Sequence, residues 1–306
     1  MILKRSNFLK LAGATVVAGP VRAQPQTAPA GGPMDKRKIP STGELLPVVG
    51  CGTWQTFDVG NAPVERAPRA DVLKALFDAG GSVIDSSPMY GRSEGVVGDL
   101  LADAGSRPKA FLATKVWTSG RDAGIAQMNN SFRLLRSEKI DLMQIHNLLD
   151  WQTHLPTLRG WKKDGRIRYV GVTHYTESAH SALEAALQIE KFDFVQINYA
   201  LDDRGAERRL LPFARDNGVA VIINMPFGGG GLLRKLSSRK LPGWAAEIGC
   251  TSWAQVLLKY ALANPAVTCV IPGTSRPEHM RDNALAGHGA YPDAAMLQRM
   301  IKEIDV

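Results

Sequence analysis

From Leu46 onward the chain alternates short apolar runs with longer amphipathic stretches. The runs at 48–51, 82–85, 111–116, 142–146, 169–173, 194–197, 219–224 and 268–272 are too short for helices and read as buried strands. Helical periodicity occupies 69–78, 94–102, 125–135, 155–163, 177–189, 208–217 and 252–263, and continues in 277–286 and 293–304. Eight strands, each followed by a helix, predict an α/β fold of the (β/α)8 TIM-barrel type. A doubly wound sheet is the alternative, but no G-x-G-x-x-G follows the first strand. Ahead of the barrel, 34–47 predicts a short amino-terminal β-hairpin that turns at Ser41-Thr42-Gly43.

Residues 1–33 follow a different rule. Lys4-Arg5-Ser6-Asn7-Phe8-Leu9-Lys10 precedes an apolar stretch from Leu11 to Val21, and Val21-Arg22-Ala23 offers a cleavage site before Gln24. The stretch is too short for a membrane span, which needs about 20 apolar residues. It resembles a twin-arginine export signal with Lys4 in place of the first arginine. That resemblance implies recognition by export machinery and a periplasmic location. A disordered or amphipathic leader on a cytoplasmic protein is the alternative. A Pro/Ala/Gly-rich linker follows from Gln24. The chain therefore divides into a signal peptide with disordered linker, 1–33, and a barrel, 34–306, within which no repeat or second linker appears.

Composition narrows the picture further. A length of 306 residues suits one barrel, which commonly takes about 250. The net charge of +8 is half due to Lys4, Arg5, Lys10 and Arg22, in a leader without acids. No basic stripe with interleaved aromatics remains, so nucleic-acid binding is not expected. No other segment is long enough to be embedded in a membrane. Cys51, Cys250 and Cys269 lie in apolar contexts and do not form a disulfide framework. A closed barrel would bring the strands of Cys51 and Cys269 together, yet buried free thiols are expected rather than a bridge. The six histidines have no metal-ligand spacing, so no metal is expected.

Chemistry concentrates at strand ends. Ser82-Val83-Ile84 delivers Asp85, Phe111-Leu112-Ala113-Thr114 delivers Lys115, and Leu142-Met143-Gln144-Ile145 delivers His146. Tyr90 follows Asp85 by five residues. In a barrel, the carboxyl ends of the strands form the active face, so these side chains would share one rim. Carbonyl reduction needs such a set. A neutral phenol protonates the forming alkoxide, a buried ammonium lowers the phenol's pKa, a carboxylate keeps the ammonium charged, and an imidazole orients the carbonyl. Trp54, Trp117 and Trp151 each follow a predicted strand end and suggest an aromatic-walled substrate pocket.

The Asp85-x4-Tyr90-Gly91 motif with Glu94, then Thr114-Lys115 and Ile145-His146-Asn147, resembles the aldo-keto reductase superfamily from about Met34 onward. The resemblance implies Tyr90 as general acid/base, tuned by Lys115 and Asp85, with His146 orienting the carbonyl. It also implies direct, metal-free hydride transfer between NADP(H), with NAD(H) as the alternative, and a small aldehyde, ketone or sugar. By the same resemblance Thr173, His174 and Gln196 hold the nicotinamide amide, with His174 where the family has asparagine. Asn224 stands where an aromatic often stacks on the nicotinamide, with Phe227 as a substitute. Thr274, Ser275, Arg276, His279 and Asn283 correspond to the seat of the adenosine phosphates, whose anions suit a helix amino terminus. Gly273 and His279 replace a frequent lysine and arginine, leaving Arg276 for a 2′-phosphate. Gly228 opens a glycine run that gives the backbone room near the pyrophosphate or forms a flap. The chain lacks the long tail that closes the pocket in steroid-handling members, so an open pocket is expected; separately, a monomer is expected. The rival reading is a cofactor-binding regulatory or redox-sensing subunit with little turnover.

Overall fold

A computed structural model of the chain describes residues 33–304. The export-signal expectation and most of the linker lie outside the described residues. The hairpin forms as predicted, from β1 (Lys36–Lys38) and β2 (Leu45–Pro47), with Gly43 at φ +77° in its turn. Next come β3 (Cys51–Gly52), α1 (Pro63–Asp78), β4 (Val83–Asp85), α2 (Ser93–Asp103), β5 (Phe111–Val116), α3 (Arg121–Leu134), β6 (Ile140–His146) and α4 (Trp151–Lys163). The second half runs β7 (Ile167–Thr173), α5 (His180–Ile189), β8 (Phe194–Asn198), α6 (Leu210–Asp216), β9 (Ala220–Asn224), α7 (Gly231–Ser237), α8 (Trp253–Ala263), β10 (Val267–Val270), α9 (Pro277–Leu285) and α10 (Ala294–Ile304).

Two helices differ most from the periodicity. α1 starts six residues before 69, because Pro63 at its first turn sets a helical φ while the exposed Val64 shows no apolar stripe. α7 was hidden by the four preceding and opening glycines, which are poor helix formers. Among the described residues, no helix is long and apolar enough to cross a membrane.

Strands β3 to β10 form one parallel sheet in chain order. Parallel bridges Val49↔Val270 and Gly52↔Gly273 bring its edges together into a nearly closed barrel. A Cβ on Gly52 would lie 2.8 Å from the Ile271 carbonyl, so this seam needs glycine. Cys51 packs in the main core and Cys269 in the barrel interior; both are free and buried, as expected.

Alternation along the strands then stacks the interior in layers. Val83, Phe111, Ala113, Leu142, Tyr169, Phe194, Ala220 and Ile222 form an apolar floor, into which the hairpin inserts Ile39 and Leu46. Tyr169 packs edge-on against Phe194 at 5.4 Å and donates its hydroxyl to Glu44 Oε2 at 2.5 Å. One alternation step above this floor, the same strands present Asp85, Lys115, Gln144 and Gln196, joined by Thr173 two steps above Tyr169, all buried.

Candidate active site

The inward polar layer has Asp85 at its centre. Lys115 Nζ lies 2.6 Å from Asp85 Oδ2 and also donates to the Ser86 carbonyl at 2.7 Å. Asp85 Oδ1 accepts from Gln196 Nε2 at 2.8 Å and from Gln144 Nε2 at 3.1 Å. Lys115 has no exposed surface and Asp85 is 2% exposed, so the ion pair is held out of water. Above it, the Lys115 ammonium lies 4.8 Å from the Tyr90 ring centroid. His146 meets Tyr90 edge-on, with centroids 6.0 Å apart. Asp85, Lys115 and His146 from the ends of three strands, and Tyr90 from the loop after β4, are thus brought together.

Local structure explains their placement. Thr53 fixes the end of β4: its amide and hydroxyl both donate to the Asp85 carbonyl at 3.0 Å. Tyr90 sits in the turn that leads into α2, its amide donating to Ser87 O. Asn147 and Leu148, directly after His146, have φ values of +53° and +56°, and Asp150 has +50°. Leu148 in the left-handed region is strained, and strain of this kind is characteristic of loops that hold a functional side chain. Asp150 secures the loop, accepting from the Gly120 amide and the Thr153 hydroxyl, both at 2.7 Å.

The charge states follow from burial. Burial pulls Lys115 down, but Asp85 and Tyr90 together hold it above the ordinary lysine value, so it stays cationic. Burial pushes the Tyr90 phenol up; Lys115 pulls it down and Asp85 opposes that pull. The net direction is upward, contrary to the expected lowering, because desolvation outweighs the ammonium. Tyr90 is therefore a neutral acid beside a fixed cation. Burial, with Lys115 and His174, pushes His146 down to about 3, so its ring is neutral.

In the expected nicotinamide seat, side-chain amides and the imidazole already have partners of their own. Thr173 is buried and donates to Gln196 Oε1 at 3.4 Å, while the Gln196 amide nitrogen is held by Asp85. His174 Nδ1 accepts from the Tyr175 amide at 3.0 Å and the Thr176 amide at 3.3 Å. This places the neutral ring's proton on Nε2. Asn224 Nδ2 donates to the His174 carbonyl at 3.2 Å, and its Oδ1 is buried without a partner. A free donor on His174 and an orphaned acceptor on Asn224 complement a primary carboxamide. These residues fit a nicotinamide amide. Phe227 packs against the main core.

At the phosphate seat, Thr274 Oγ1 accepts from the Arg276 amide at 3.1 Å, just before α9. Ser275 is half-buried, His279 exposed and Asn283 buried. Arg276 is exposed, and its guanidinium pairs with Glu278 Oε1 at 2.6 Å. Gly228 has φ +57°, and a Cβ there would meet the Asp202 carboxylate at 2.3 Å, so the glycine run starts where the backbone closes on Asp202.

Of the three tryptophans, Trp117 reaches the site, 6.3 Å from the His146 ring. Trp54 is half-exposed on the loop after β3. Trp151 instead packs edge-on against buried Phe192 at 6.2 Å and joins the core. Sequence reasoning missed Gln144, although it lies two residues before His146 and so faces the same interior. It also missed Ser87, for which no strand periodicity gives a signal.

Comparison with known proteins agrees with this geometry. The model of the Aldo/keto reductase family matches residues 48–302. Methylglyoxal reductase YeaE of Escherichia coli is 29% identical over 259 residues, covering 82% of this chain and 89% of the relative. An NADH-specific methylglyoxal reductase of the same organism is 26% identical over 333 residues, with 88% and 99% covered. A crystal structure of an aldo-keto reductase from Klebsiella pneumoniae in complex with NADPH superposes with a TM-score of 0.75 at 25% identity, covering 88% of this chain and 94% of that one.

Proposed function

The chain belongs to the aldo/keto reductase family, and from that premise we propose that it reduces a small aldehyde, ketone or sugar carbonyl at the expense of NADPH, with NADH as the alternative. The bound nicotinamide would supply a hydride to the carbonyl carbon. The phenolic proton of Tyr90 goes to the carbonyl oxygen as charge develops there, giving the alcohol. Lys115, held by Asp85, stabilises the phenolate that remains until a proton is regained from solvent. His146 donates a hydrogen bond to the carbonyl oxygen and orients it. Support for NADP(H) comes from the NADPH complex of the Klebsiella relative, and for NAD(H) from the NADH-specific relative. His174 and Asn224 would read the carboxamide, and Thr274, Ser275 and Arg276 the phosphates. Two relatives named for methylglyoxal favour a compact carbonyl substrate.

The observation that carries this reading is the fully buried Lys115 between Asp85 and the Tyr90 ring, beside a neutral imidazole. Tyr90→Phe tests it in single-turnover reduction of several carbonyls. The variant should lose about 10²–10⁴-fold in rate and keep cofactor affinity within about threefold, since the hydroxyl acts only as the alkoxide forms. Near-parental turnover across the panel refutes the assignment.

A further inference from the structure

Ser87 is fully buried between Asp85 and Tyr90, and the chemistry above makes no use of its side chain. Its Oγ lies 3.1 Å from His146 Nδ1. The same oxygen accepts from the Met89 amide at 3.3 Å. An amide N–H can only donate, so the hydroxyl proton is left to point elsewhere. The imidazole nitrogen is the acceptor in reach. Where that nitrogen accepts, it carries no proton, and the single proton of neutral His146 then resides on Nε2. Nε2 itself has no protein partner among the described residues. Tyr90 at 6.0 Å and Trp117 at 6.3 Å flank the ring and limit its rotation.

We propose that Ser87 is a positioning residue: its hydroxyl fixes His146 as the Nε2–H tautomer, so that the ring offers a donor to the carbonyl oxygen. The inference rests on the reading of the site as a carbonyl reductase. The opposite tautomer would present a lone pair to an oxygen that also carries lone pairs. Substrate would then lose its orienting contact while the ring kept its place.

The test reads the tautomer directly. Protein labelled with ¹⁵N-histidine is examined by NMR at pH 7 without nucleotide or substrate, with the His146 resonances assigned by their loss in H146N. The parent should show the Nε2–H pattern, S87A a shift toward the Nδ1–H form or a mixture, and S87T the parental pattern. In steady-state reduction S87A should lower kcat about tenfold, the worth of one buried hydrogen bond, with KM for NADPH unchanged, and S87T should recover most of it. A parent protonated at Nδ1 overturns the proposal, as does an S87A protein with an unaltered tautomer. Absence of carbonyl reduction in the parent would instead overturn the functional reading.

Discussion

Replacing Lys115 by Met separates what the buried ion pair does for folding from what it does for chemistry. The ammonium is 2.6 Å from Asp85 Oδ2, with side chains 0% and 3% exposed. Without it, Asp85 Oδ1 keeps the Gln144 and Gln196 amides, but Oδ2 loses its charged donor. Stranding one partner of a buried pair costs about 3–5 kcal/mol. Against a total stability of about 5–15 kcal/mol, that is a large fraction, readable as a lower urea midpoint. K115M/D85N removes both charges and should regain most of the loss, because neutral replacement of a buried pair is often close to isoenergetic. Turnover should behave otherwise. Tyr90 is already pushed up by burial and would lose its adjacent cation, so hydride transfer measured by stopped flow should fall about 10²–10⁴-fold in both variants. A K115M protein as stable as the parent would refute the energetic argument, and restored turnover in the double variant would refute the catalytic one.

Two further outcomes follow from the site's charges. His146 is held down at about 3 while an unfolded histidine titrates near its ordinary 6.5, so the unfolded state takes up a proton first as pH falls. Its contribution to stability is therefore complete above about pH 6.5 and declines toward pH 3, by up to about 1.4 kcal/mol per pH unit; H146Q should flatten this slope in unfolding between pH 4 and 6.5, and an unchanged slope would contradict it. R276A should weaken NADPH about 10–100-fold and NADH far less, whereas E278Q should tighten NADPH by freeing the guanidinium from its pair; equal shifts for both nucleotides in calorimetric titration would place the 2′-phosphate elsewhere.

The strand ends were legible because two signals coincide there. A short apolar run marks a strand buried on both faces, and an ionisable residue delivered at or near its end marks the rim. Asp85, Lys115 and His146 satisfy both, and the structure places them together. The nicotinamide seat was less legible, because side-chain amides can bind several partners and sequence does not say which one wins. Gln196 is claimed by Asp85, and Asn224 turns its nitrogen to the His174 carbonyl. Trp151 resembles Trp117 in its position after a strand, but its loop passes through Asp150 at φ +50° and the ring finds Phe192. The upward direction at Tyr90 was hidden for a different reason: the sequence shows the neighbouring charge but not the depth of burial that outweighs it.

Asp85 also ties catalysis to strand register. Its carboxylate takes donors from β5, β6 and β8 while standing at the end of β4. Each donor lies one alternation step above an apolar floor residue on its own strand: Lys115 above Ala113, Gln144 above Leu142, Gln196 above Phe194. A one-residue slip of β5 would turn Thr114 inward in place of Lys115 and send the lysine among the helices. The same slip would expose the floor's apolar side chains to the wrong face, so packing and catalysis select the same register. The hairpin strengthens that choice from below, since Glu44 anchors Tyr169 and pairs with Arg168. Hydrophobic packing of the floor and the donors gathered by Asp85 thus favour the same register, which holds the ammonium in place.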